Sequence, residues 1–223
     1  MANQDESFIR EVNEELRSEQ VKAVWTRFGS VIIGIAILIV AGTIGKVGYE
    51  YWHETSASQS GDEFLAALTL SRENKTDEAL TALATLEKDG YGAYPVLAKM
   101  RAATLQVQKG DTPGAITAFS DIAKDASLPQ AMRDAARMRG AYLLVDTGTY
   151  EQVSAEAEQL AVPGNGLRHS AREALGLAAY KAGDMAKAKT WFQQITDDAE
   201  TPRNLANRAQ MLLDLIAASG KAS

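Results

Sequence analysis

The chain has 223 residues, 46% of them hydrophobic, with a net charge of −6 and no cysteine. Absence of cysteine excludes disulfides, thiolate metal sites and cysteine nucleophiles. Its mild acidity and dispersed Lys and Arg do not make the basic stripe that a nucleic-acid surface requires.

Residues 1–27 hold four basic groups (Arg10, Arg17, Lys22, Arg27) and six acids. Phe8, Ile9, Val12 and Leu16 recur at helical spacing, and Val21, Val24, Trp25 and Phe28 form a second apolar set. This predicts a short amphipathic helix.

Phe28 to Gly45, FGSVIIGIAILIVAGTIG, carries no formal charge over 18 residues. A membrane-spanning helix needs about 17–25 apolar residues. Trp25 on one side and Tyr49, Tyr51 and Trp52 on the other provide the aromatic belts of such a span, so a transmembrane signal anchor is expected over 28–49. The run exceeds a cleavable h-region, and the acid-rich segment before it is a poor n-region. Four basic residues precede the span and Lys46 alone follows it closely. That asymmetry places 1–27 in the cytoplasm and the remainder across the membrane. Ser30, Gly34, Ala41, Gly45 and Gly48 fall within about a 60° arc of that helix and are expected to form its helix-contact face.

Residues 50–61 include HETSASQSG, small and polar without period, and read as a linker. From there the chain repeats. Asn74, Gly110, Gly148 and Gly183 interrupt helix-length segments at intervals of 36, 38 and 35 residues. Gly suits the left-handed residue that closes a helix, and Asp111 and Asp184 behind it suit the cap of the next. Seven positions before each break stand Ala67, Ala103, Ala141 and Gly176. Five after it stand Ala79, Ala115, Val153 and Ala188; nine after it Leu83, Phe119, Ala157 and Phe192; twelve after it Leu86, Ile122, Leu160 and Ile195. The third unit, with its sizes exchanged, departs most from the pattern. Small and large core positions on this period mark a tetratricopeptide-like solenoid. Residues 62–223 are therefore expected to be all-α: about four helical hairpins and a capping helix, Arg203 to Ala218.

The first helix of each pair lines the groove of such a repeat. Its outward positions are Phe64 and Leu68; Met100, Thr104 and Val107; Met138, Tyr142 and Val145; and Glu173, Leu177 and Tyr180. Methionine and tyrosine are adaptable contacts for protein ligands. The same side chains also suit packing between neighbouring helices. Arg101 and Arg139, in AKMRAAT and ARMRGAY, read as a solvated face. No catalytic, cofactor-binding or metal-binding residues are expected. His53 and His169 are far apart, His53-Glu54 lacks the second histidine of a zinc helix, and Gly164-Asn165-Gly166 follows no strand.

The N-terminal segment FIREVNEELRSEQVKAVWTRFG, the single anchor and the A-[KR]-M-R repeat domain together resemble the ancillary SecYEG translocon subunit family, the YfgM-like membrane proteins of bacteria. The EEL-R segment and the tryptophan before the span resemble its alphaproteobacterial members. The resemblance implies an inner-membrane protein with a periplasmic domain, partnered by the Sec translocon and periplasmic chaperones in the maturation of exported proteins. It brings no catalytic residues. An alternative for the same architecture is a scaffold of an envelope-assembly or cell-division complex, with the small-residue face used in self-association.

Overall fold

The computed structural model describes the backbone of residues 2–220 and the side chains of Lys22 and of 25–220 other than Ile32. Every regular element among the described residues is helical. The chain divides into two compact units, Met1–Ser58 and Gln59–Ser223.

The first unit consists of helix α1, Ala2–Arg72, up to Ser58. From Trp25 onward this helix is long and apolar enough to cross a membrane. Its apolar side chains are bare: Ile37, Leu38 and Ile44 are all more than 60% exposed. A contiguous apolar surface of that kind needs lipid or protein to cover it. Residues 50–61, expected as an irregular linker, are helical instead. Between Tyr49 and Ser60 there is no glycine or proline, and a helix already nucleated on both sides propagates through Ser, Ala and Gln at little cost. The helix expected within 1–27 is part of α1 rather than a separate element.

The second unit begins with the last turns of α1, the first helix of the first pair. It continues with α2 (Thr76–Asp89), α3 (Tyr94–Gln108), α4 (Thr112–Lys124), α5 (Gln130–Thr147) and α6 (Tyr150–Ala157, followed by a 3-10 turn at Glu158–Leu160). Then come α7 (Arg168–Lys181), α8 (Met185–Thr196) and α9 (Arg203–Ala218), the last with the bounds that the sequence predicts.

Three of the four breaks share one stereochemistry. Asn74, Gly110 and Gly183 have φ of 61°, 89° and 81°. The residue after each turns its N–H back onto the preceding helix: Lys75 to Leu70 O, Asp111 to Gln106 O, Asp184 to Ala179 O. This is the six-residue closure that satisfies otherwise orphaned carbonyls. Asp111 then accepts from Gly114 N at 2.9 Å and Asp184 from Lys187 N at 3.0 Å, starting α4 and α8. Gly148 corrects the expectation for the third break. Its φ is −106°, and α6 starts instead from a capping box in which Thr149 and Gln152 satisfy each other's backbone N–H groups.

All sixteen aligned core positions, from Ala67 to Ile195, are buried. All but Gly176, which has no side chain, fall into four clusters, each shared by one hairpin and the first helix of the next. Ala67, Leu83 and Leu86 meet Ala98 and Leu105; Ala103 and Phe119 meet Ala136; Ala141 and Leu160 meet Ala171 and Leu175; Ala179 and Phe192 meet Leu205 and Ile216. Each repeat thus completes its core only with its neighbour, as in other nearest-neighbour stacks. Helix α9 closes the series by covering Phe192 and Ile195.

Candidate protein-binding surface

The first helices of successive pairs are stitched together by polar contacts about one repeat apart. Arg101 Nη2 donates to Ser71 Oγ at 2.8 Å, and Arg139 Nη1 to Thr104 Oγ1 at 3.3 Å. Lys181 Nζ donates to the carbonyls of Val145, at 3.0 Å, and Asp146, capping the end of α5. Tyr142 donates to Glu173 Oε2 at 3.3 Å, and Arg208 binds both oxygens of the same carboxylate, at 2.8 and 3.0 Å. These contacts follow the rows on which the groove residues were predicted.

On those rows the individual side chains differ. Tyr142 is 39% exposed and presents its ring to solvent. Leu68 and Thr104 are half-buried. The Phe64 ring lies 6.0 Å from that of Tyr94, tilted by 53°, and Met100, Val107, Val145, Leu177 and Tyr180 pack partly against the core clusters. Met138 does not belong to the surface. It is 5% exposed and packs with Ala141, Ala171 and Ala174, whose small side chains leave room for it. Glu173, at the equivalent place in the fourth pair, is also buried, and its charge is balanced by Arg208 from α9. Spacing alone did not reveal Arg208. Yet it stands 35 residues after Glu173, the interval of the repeat itself, and that interval is the signal that finds it. Met211 and Leu215, three and seven residues beyond Arg208 and so on its side of α9, are 68% and 51% exposed; both went unrecognised in the sequence.

A second polar network ties α7 to the turn before α9. Asp198 Oδ2 accepts from Arg168 Nε and Arg172 Nη1, each at 3.0 Å, while Arg172 also donates to the carbonyls of Ala161 and Gln194. The Arg168 guanidinium, with the Glu200 N–H and Arg172, holds the Asp198 carboxyl far below the usual carboxylate range. Thr201 Oγ1 donates to Ile195 O at 2.7 Å, so it accepts from Nδ1 of His169 at 2.9 Å. That leaves Nε2 of His169 bare, buried and without a partner. Burial, and then the neighbouring Arg168, push the imidazole pKa down. Apart from Nε2 of His169, the side chains named in this network are turned toward one another.

The clefts of this unit lie between successive helices and the turns that join them. One of about 550 Å³ lies between the start of α5 and the turn at 164–167. Its one carboxylate, Asp134, already accepts from Gln130 and Asn165 and faces Arg137. Among the exposed large hydrophobic side chains of this unit are Leu65 and Tyr142 on first helices and Met211 and Leu215 on α9.

Residues 22–218 match the sequence profile of the tetratricopeptide repeat-like domain family. The chain belongs to that family. A comparison with curated proteins finds no significant match. The family suggests protein partners for this chain, since stacked repeats of this kind present extended binding surfaces.

In the first unit, the predicted helix-contact residues Ser30, Gly34, Ala41, Gly45 and Gly48 all lie on α1. Among the described residues of this unit, no atom outside the helix's own backbone lies within 4 Å of a Cβ built at Gly34, Gly45 or Gly48.

Proposed function

We propose that this chain is a single-pass inner-membrane protein with a cytoplasmic N-terminus and a periplasmic repeat domain that binds proteins and catalyses no reaction. Its role is that of an ancillary Sec translocon subunit, assisting exported proteins together with periplasmic chaperones. The observation that carries this reading is the bare apolar surface of α1 between Trp25 and Trp52 in a chain whose other unit is a protein-binding repeat. The basic asymmetry around the span supports the orientation. The sequence resemblance supports the choice of partners.

The test is chemical cross-linking in living cells, followed by purification of the full chain from solubilised membranes. Recovery of the translocon subunits with a periplasmic chaperone is the expected result. Recovery of division or envelope-assembly proteins in their place would favour the scaffold reading, which the open small-residue face of α1 also suits.

A further inference from the structure

Asn165 is the one asparagine of the chain that glycine follows, and Gly164-Asn165-Gly166 is the turn that leads into α7. Asn165 Oδ1 accepts from Leu167 N at 2.8 Å, and Asn165 Nδ2 donates to Oδ2 of Asp134 on α5 at 3.3 Å. The ring closed by the first of these bonds contains both the amide carbon Cγ of Asn165 and the nitrogen of Gly166. That nitrogen donates to no acceptor among the described residues. Gly166 is exposed, so water and base reach it, and it has no Cβ to hinder a ring closing on its nitrogen. The turn thus holds together a polarised amide, a nitrogen free to attack it, and a backbone N–H on the oxygen where negative charge would develop.

We infer that Asn165 is a self-modification site whose product detaches this turn from α5. Base removes the Gly166 N–H proton, and the nitrogen attacks Cγ. As the new N–Cγ bond forms, Oδ1 takes the negative charge under the Leu167 N–H. The Cγ–Nδ2 bond then breaks and Nδ2 leaves, with a proton returned by the base, as ammonia. What remains is a cyclic succinimide. Water adds to either of its carbonyls and breaks one C–N bond, which gives aspartate or isoaspartate at 165; nothing is oxidised or reduced. The departing nitrogen is a donor that Asp134 holds, and a carboxylate takes its place. Asp134 is buried, with Gln130 Nε2 at 2.6 Å and Arg137 Nη1 at 3.5 Å as its other partners. Two carboxylates facing one another there repel, and the contact between the turn and α5 is lost. This reaction is a property of the fold and is independent of the partners that the domain takes.

The experiment incubates the full chain, folded in detergent, in mildly alkaline buffer over days. Peptide mapping by mass spectrometry follows deamidation at Asn165 and at Asn204 and Asn207, exposed on α9 and followed by Leu and Arg. A synthetic peptide of residues 160–170 is incubated beside it. Modification at Asn165 that outpaces the other two and runs at least as fast as in the peptide is expected. A rate in the folded chain well below that of the peptide overturns the proposal, because the turn then protects its amide. Gly166→Ala separates the chemistry from the fold: a Cβ there meets nothing within 4 Å and φ lies outside the left-handed region, so the variant folds. Severalfold slower modification is expected in it, and an unchanged rate overturns the attack by the Gly166 nitrogen. For the consequence, Asn165→Asp should lower the unfolding midpoint more than Asn165→Ala, which removes the donor without adding charge. Equal midpoints in the two variants overturn the detachment.

Discussion

A Cβ added to Gly176 of α7 would sit 2.6 Å from Cε1 of Phe192 in α8. The ring of Phe192 is completely buried, and the missing side chain of Gly176 is what lets α7 and α8 approach it. Overpacking of this kind costs about 1–3 kcal/mol. Gly176→Ala should therefore lower the denaturation midpoint of the repeat domain, followed by helical circular dichroism, and Gly176→Leu should lower it further. Combining Gly176→Ala with Phe192→Leu should restore part of the loss, because the two residues share one space. Strictly additive losses would show that Phe192 moves aside freely.

Replacing Arg208 by Ala leaves the buried carboxylate of Glu173 with Tyr142 as its remaining partner. An unsatisfied buried acceptor costs about 1–3 kcal/mol, and since the Arg208 side chain is half exposed the lower half of that range is expected. Glu173→Met restores the residue type that Met100 and Met138 hold in the second and third pairs. The double variant Arg208→Ala/Glu173→Met should be more stable than Arg208→Ala alone. If instead the double variant is the weaker, an unneutralised Glu173 carboxylate is not what Arg208→Ala costs the fold.

Stability should fall on acidification from two sources with the same sign. The pKa of His169 is lowered in the folded state, so the unfolded chain binds the proton more readily. That contribution is complete above the ordinary histidine value of about 6.5 and is lost as the pH drops below it. The depressed Asp198 contributes stability above the ordinary carboxylate value of about 4, lost as the pH falls further. His169→Gln should flatten the upper part of the profile and Asp198→Asn the lower part, measured as unfolding midpoints between pH 7.5 and about 3. An unchanged upper limb in His169→Gln would mean that another group titrates there.

On α1, Gly34→Leu with Ala41→Leu adds bulk to the small-residue face, at Gly34 where a Cβ meets no described atom within 4 Å. Helical content and thermal stability of the repeat domain should be unaltered, while the complex purified from solubilised membranes should lose its membrane partner. Retention of every partner would make the small residues incidental to the span.

The repeat was legible because its determinants are local and periodic. Ala67, Ala103, Ala141 and Gly176 can be aligned without knowing any contact, and all are buried. What escaped lies between elements. The Glu173–Arg208 and Arg172–Asp198 pairs join residues 35 and 26 positions apart, outside any helical window. Residues 53–61 misled for a different reason: their composition favours a linker, but helix propagation from both sides decides their conformation. Met100 and Met138 show the limit of register. They occupy one aligned position, yet only Met138 has Ala171 and Ala174 opposite it and is drawn into the core.

The central claim is that the face formed by the first helices receives proteins on the far side of the inner membrane. The most direct measurement places a photo-cross-linking amino acid at Tyr142 or at Leu177 on that face, and at the exposed Lys189 on α8, in the full chain in living cells. Cross-links to translocon, chaperone or exported proteins from 142 and 177, with none from 189, are predicted. Equal labelling from all three positions, or capture of cytoplasmic proteins alone from 142 and 177, would contradict the account.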